Sequence, residues 1–181
     1  MMGQSWGAQA AANAQALGVN ASALAATCIV ESGCQNVGGS GSVAGAFQMT
    51  ASTYNAMIQA AVAQNPSLAS QVVQGSAGQM DPASESIAAS EYLLQGAQYL
   101  QAQGISNPSV VDVRGYYNFG PAGGAAIANA PQSATMASVL SMYSPSVLAN
   151  NGITPGETVS QWQASVAAKI GNAASQSVLS S

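Results

Sequence analysis

The segment MDPASESIAASEYLLQGAQYLQAQG, residues 80–104, fixes more of the fold than any other stretch. Asp81 stands before a proline suited to the first helical position. Glu85 falls in the first turn, where a carboxylate meets the positive end of the helix dipole. No proline recurs before Pro108. Ile87, Leu94 and Ala97 can share one face, so the spacing predicts a long helix.

Shorter segments repeat the theme. SWGAQAAANAQALG is alanine-rich and reads as a helix ending at Gly18. Asn20 can cap a second helix, ASALAATCIVES, which Gly33 can end. VGGSGSVAGA, residues 37–46, holds too much glycine for a helix and predicts a loop or short hairpin. QMTASTYNAMIQAAVAQ returns to helical composition and stops before Pro66. SVVDVRGYYNFG opens with β-branched residues, yet most of it reads as helix in a helical setting. Near the end, Thr154 and Glu157 match a T-x-x-E capping box with Pro155 at the first helical position. Val159, Trp162, Val166 and Ile170 then recur at helical spacing, which puts Trp162 in a core rather than on a ligand platform. The 181 residues suit one compact, mainly α domain with a substantial core.

Charge is the scarce component. Charged residues make up 4% of the chain, against about 25% in ordinary globular proteins. Two Lys+Arg against six Asp+Glu give a net charge of −4. Neutralising phosphates takes clustered cations, so nucleic acid is not an expected partner. Histidine is absent. That excludes Ser-His-Asp and Cys-His nucleophile systems and His-based zinc sites, and two cysteines cannot form a four-Cys site. No metal and no cofactor is expected. Acid–base chemistry must come from Glu31, Asp81, Glu85, Glu91, Asp112 and Glu157, and glycosidic cleavage is one of the few reactions carboxyl groups alone can run. So few titratable groups also predict stability that varies little over the acidic range. No apolar run approaches the ~20 residues that span a bilayer. MMGQSWGAQA has neither a basic start nor a long apolar core, so no secretory leader is expected within this sequence.

Among the carboxylates Glu31 stands out. In LAATCIVESGCQN, residues 24–36, it closes an apolar run between two cysteines. On a helix, Leu24, Thr27, Cys28 and Glu31 form one stripe, which puts the carboxylate on or near the apolar face. A charge there is costly unless paired or protonated. Desolvation favours the protonated form of a carboxyl group, as a general acid near neutral pH requires.

Downstream motifs give Glu31 a context. After Glu31-Ser32 come GAFQMTASTY at 45–54, MDPASESIAASEYLLQGAQYL at 80–100 and RGYYNFGPAGG at 114–124. The order resembles the soluble lytic transglycosylases, a lysozyme-like family related to the goose-type enzymes. That family reads Glu-Ser, then Gly-x-x-Gln with an apolar residue after it, then an Asp-Pro helix with Asn-Ile and Tyr-Leu, then Ala-Tyr-Asn-x-Gly. The counterparts are Glu31-Ser32; Gly45 to Gln48 with Met49; Asp81-Pro82, Ser86-Ile87 and Tyr99-Leu100; and Tyr116 to Gly120. The match covers about residues 15–130, and its force lies in four short motifs in the right order. Tyr116 stands where the family has alanine and Ser86 where it has asparagine.

The resemblance implies a lysozyme-like helical domain over 1–132; residues 133–181 have no counterpart in it and read as a C-terminal helical extension packed on the same domain. It implies cleavage of the MurNAc-GlcNAc β-1,4 bond of peptidoglycan glycan strands, with Glu31 as catalytic acid and then base. Ser32 would hold the peptide or acetamido side of the substrate. Gln48 and Tyr117 would line the cleft, and Asn118 would support the local backbone. Between Glu31 and Asp81 there is no other Asp or Glu, whereas hydrolases normally pair two carboxylates a few ångströms apart. A single-acid route that ends in a 1,6-anhydro ring fits better. Asp112, with Arg114 near it as a local ion pair, is the candidate second carboxylate for a hydrolytic rival. A non-catalytic wall-binding component of a secretion or phage-tail apparatus is the rival of another class.

Cys28 and Cys34 lie about 9 Å apart along an intact helix, beyond the ~7 Å limit for a disulfide. They can join only if the helix ends near Gly33 and the chain turns back; otherwise they are two small buried thiols. A bridge would brace the catalytic turn and imply an oxidising, extracytoplasmic compartment.

Overall fold

Capped helices of modest length, with one short hairpin, make up the chain, so the fold is mainly α. The computed structural model describes residues 1–38 and 42–180. Part of the glycine-rich stretch expected as loop or hairpin, Gly39 to Gly41, lies outside the described residues. The chain divides into two compact units, Met1–Gln95 with the tail from Ser177, and Gly96–Gln176.

The first unit begins with α1 (Gly7–Ala16) and α2 (Ala21–Ser32). The hairpin follows, β1 (Val43–Ala44) and β2 (Met49–Thr50), antiparallel with Val43 opposite Thr50 and Ala44 opposite Met49. Then come α3 (Ala51–Gln64), a 3-10 turn (Pro66–Gln71), α4 (Gly75–Gln79) and α5 (Pro82–Ala102), whose residues to Gln95 belong here. Two helix starts follow the sequence signals, at Asn20 and Asp81; the third corrects the reading of residues 48–64 as helical, because Met49–Thr50 are strand and Thr50 caps a helix that begins at Ala51. Asn20 accepts the Ser22 N–H at 2.9 Å, Thr50 the Thr53 N–H at 3.1 Å, and Asp81 the Ser84 N–H at 3.0 Å. α3 stops at Gln64, before the proline that cannot continue it.

Small side chains make the packing of this unit close. Ala10, Ala14, Ala23, Ala26 and Ala88 are buried beside Leu24 and Ile87, and alanine at a contact lets helix axes approach. Asn13 of α1 is buried and its amide donates to the Ala83 carbonyl and the Ser86 hydroxyl of α5, both at 3.0 Å. The C-terminal tail returns to this unit: the Asn20 N–H donates to the Val178 carbonyl at 2.8 Å, and Ser180 N–H to Gly18 at 3.0 Å. That anchor at the start of α2 carries no local sequence signal.

The second unit holds α6 (Val110–Asn129), α7 (Met136–Val139), α8 (Pro145–Asn150) and α9 (Val159–Ile170). Its core joins Phe119, Ile127, Met136, Leu140, Ile153, Val159, Trp162 and Val166. The apolar stripe expected on the last helix is therefore buried, with the Trp162 ring 6.4 Å from that of Phe119. The cap lies four residues later than the sequence suggests. Thr158 and Gln161 form the capping box of α9. Glu157 instead turns back to accept the Thr154 N–H at 2.9 Å within the preceding loop. Gly120 breaks α6 at φ 66°, ψ −172°, and Pro121 restarts it.

Candidate active site

The end of α2 is where the sequence concentrated its chemistry. Leu24, Thr27 and Cys28 are buried along one stripe, and Glu31, next on it, is half-buried. Gly33 closes the helix in the left-handed region, at φ 66°, and Cys34 follows at φ 60°. Two left-handed residues in succession reverse the chain within one turn. That reversal brings the Cα atoms of Cys28 and Cys34 to 4.7 Å, and the two form a disulfide. Both are buried, so the bridge lies beneath the turn that presents Glu31 and Ser32.

The hairpin turn Gly45–Gln48 meets this helix end directly. The Ser32 hydroxyl donates to the Ala46 carbonyl at 2.7 Å. The peptide between Ala46 and Phe47 is held at its other end too, because the Phe47 N–H donates to Glu85 Oε2 at 3.1 Å. Gly45 has φ 90°, and a Cβ there would overlap the Glu85 carboxylate and the Gln79 carbonyl. Glycine is required for both reasons. Phe47 is buried, edge-on to Trp6 with ring centres 6.0 Å apart.

Gln48 closes the turn at φ 50° and is half-buried. Its amide nitrogen donates to the Gly45 carbonyl at 2.7 Å, and more weakly to Val37 at 3.4 Å. Beside the hairpin lies an open cleft of ≈ 610 Å³ whose walls include Ser42, Thr50, Ser52 and Gln79. Val43, Ala44 and Ala51 line it as well, so the walls are small and uncharged and mix apolar side chains with hydroxyl and amide groups.

Glu85 differs most from its sequence reading. The sequence assigns it to the helix start alone. It lies in that first turn, but it is completely buried, 0% exposed. Burial pushes its carboxyl up to about 7; the backbone N–H groups of Phe47, Met49 and Ala46 offset part of this, and the nearby charge of Glu31 adds to it. Its second oxygen has no hydrogen bond of ordinary geometry among the described residues. Nothing local in the sequence marked this burial: the missing helical ion-pair partner is shared by Glu31, Asp81 and Glu91.

In the second unit, Tyr117 and Asn118 are half-buried on α6. Asn118 Oδ1 accepts from Arg114 Nη2, and the Arg114 guanidinium lies 5.2 Å from the centre of the Tyr117 ring. The support expected of Asn118 thus reaches a side chain. Asp112 does not pair with Arg114. Its Oδ2 accepts the Ser109 N–H at 2.8 Å and the Ser109 hydroxyl at 2.7 Å, a capping box at the start of α6. Tyr116, in the family's alanine position, is buried beside Tyr99 with ring centres 5.9 Å apart.

Among the described residues no helix is long and apolar enough to cross a membrane. No protein-family model matches the chain, and no curated protein matches it at a significant level.

Proposed function

We propose that the chain is a peptidoglycan lytic transglycosylase of lysozyme-like fold in which Glu31 is the single acid and base. The observation that carries this reading is the contrast among the carboxylates of the first unit. Glu85 and Glu91 are buried, and Asp81 caps α5. Glu31 alone is presented at the braced end of a helix, against the turn that bears Gln48.

Retaining and inverting glycosidases need a second carboxylate about 5–9.5 Å from the first. Glu85, the carboxylate nearest in kind, is turned inward onto backbone N–H groups. In the proposed mechanism Glu31 protonates the oxygen between C1 of MurNAc and the leaving GlcNAc, and the C1–O bond breaks. The acetamido oxygen of the same MurNAc supports the positive charge at C1. The Glu31 carboxylate then takes the proton of the 6-hydroxyl, whose oxygen bonds to C1 and closes the anhydro ring. Glu31 ends protonated and no water is consumed. The substrate supplies nucleophile and stabiliser already positioned. Ser32 and Gln48 are the substrate-binding residues that this reading takes from the first unit; Tyr117 and Asn118 on α6 are its candidates in the second. The disulfide supports an extracytoplasmic setting, where such bonds persist.

The test is the product. Purified peptidoglycan is digested and the muropeptides are weighed. Ends lighter by one water than hydrolytic ends support the reading. Reducing ends lost on Asp112→Asn would establish a hydrolase, and binding without cleavage would establish a wall-binding protein.

A further inference from the structure

The peptide linking Ala46 to Phe47 is gripped from two helices at once. Ser32, next to the proposed acid, holds its oxygen at 2.7 Å, and Glu85 of α5 holds its N–H at 3.1 Å. Gly45 is pressed so close to the Glu85 carboxylate that no side chain fits between them. These contacts fix the turn that carries Gln48 relative to the helix end that carries Glu31. A carboxylate is the strongest common acceptor for a peptide N–H, because a charge-assisted bond is roughly twice as strong as a neutral one. A buried, cation-free carboxylate is also an expensive way to hold a turn.

We propose that Glu85 is a positioning residue for the Glu31 site, acting through the Ala46–Phe47 peptide and the Ser32 hydroxyl, and that the grip is set by its protonation. The inference rests on the transglycosylase reading for its chemistry and on the hydrogen bonds for its geometry. Ionised Glu85 is an acceptor for the N–H groups of the turn. Protonated Glu85 is a weaker acceptor for those N–H groups, so the turn loosens as the proton binds. The groups that face it are few. Glu31 on α2 is acidic, and the Tyr54 phenol on α3 is raised above its ordinary value chiefly by burial, against a lowering bond from Ser84 and with smaller raising contributions from Asp81, before α5, and from Glu85 itself. The hairpin and α4 bring no titratable side chain. With the transition near neutrality, the site tightens as pH rises through that region.

The experiment follows the carboxyl carbon of Glu85 and the amide of Phe47 by NMR from about pH 4 to about pH 9. The intact protein is compared with Glu31→Gln, Ser32→Ala and Glu85→Gln, alongside rates on soluble glycan fragments. Expected is one shared midpoint for carbon and amide, moved down in Glu31→Gln because a like charge is removed. The kcat profile should bend at the same midpoint. Glu85→Gln should lose that bend and about 100-fold in kcat, the scale of a misplaced catalytic geometry, with KM little changed. An amide silent while Glu85 titrates overturns the inference. So does a Glu85→Gln profile that keeps the bend and is merely lower at every pH, the mark of a structural role. If the wild type cleaves nothing, the transglycosylase reading fails, and the titration alone decides whether Glu85 grips the turn. If Glu85→Gln does not fold, the wild type, Glu31→Gln and Ser32→Ala still decide it.

Discussion

Cys34 is joined to Cys28 twice: by the bridge between their sulfurs, and by its own N–H, which donates to the Cys28 carbonyl at 2.9 Å. The hydrogen bond belongs to the helix ending, and the covalent bond makes that ending permanent. Glu31 and Ser32 lie inside the closed loop.

Replacing both cysteines by alanine should therefore cost stability and more activity than stability. For so short a loop the chain-entropy argument gives about 2 kcal/mol. That is a melting-temperature loss of about 4–8 °C in a chain of this size. Thermal melts and lytic rates of the double variant check both. An unchanged melting temperature would mean that the turn is held without the bridge.

Glu31→Gln should leave the fold intact and remove activity. The amide matches the acid in shape but delivers no proton. Because one group serves as acid and base, the loss should exceed about 10³-fold in kcat. A tenfold loss would move the chemistry to another carboxylate.

Glu85 gives stability a definite pH dependence. Its folded carboxyl is raised from 4.5 to about 7, so the folded state binds the proton more tightly than the unfolded chain does. The stabilisation is complete below about pH 4.5 and is lost as pH rises toward about 7, a total of about 3 kcal/mol. Glu91, raised by burial against a partly compensating bond from Gln95, adds in the same direction. Melting temperature should be level in acid and fall by about 10 °C on the way to pH 8. Glu85→Gln should flatten most of that slope. A melting temperature that climbs between pH 5 and pH 8 would contradict the assignment.

Gly45→Ala should be among the most damaging single changes. The new Cβ would meet the Glu85 carboxylate and the Gln79 carbonyl at a backbone angle that alanine resists. Loss of more than about 3 kcal/mol, read from chemical denaturation, is expected, since overpacking and backbone strain act together. Gly104 has φ 95° with open space around it, so Gly104→Ala is the control for backbone strain alone.

The sequence made the helices legible because their ends carry local chemistry. Asn20, Asp81-Pro82 and Gly33 each stop or start a helix by a contact within a few residues. The Thr154–Glu157 pattern misled because two consecutive T-x-x-E/Q patterns compete, and the one at Thr158 sits against the apolar stripe. Spacing placed Glu31 on the stripe of Leu24, Thr27 and Cys28 and left the cysteines open between a bridge and two thiols, which the turn at Gly33 decides; Ser32 came from the resemblance alone. The burial of Glu85 could not, because its partner Phe47 is 38 residues away and only the folded chain brings them together. The return of the tail to Asn20 was hidden for the same reason, across 157 residues.

Most helix starts of this protein are held by uncharged oxygens: Asn20, Thr50, Ser109, Thr135, Ser144 and Thr158 all accept a backbone N–H through a hydroxyl or amide. Screening acts on charges, and over a Debye length of about 3 Å at 1 M salt it erases exposed ion pairs. Neutral caps offer it nothing to erase. A scaffold capped in this way should keep its melting temperature from dilute water to strong brine, because added salt finds few charged caps to weaken.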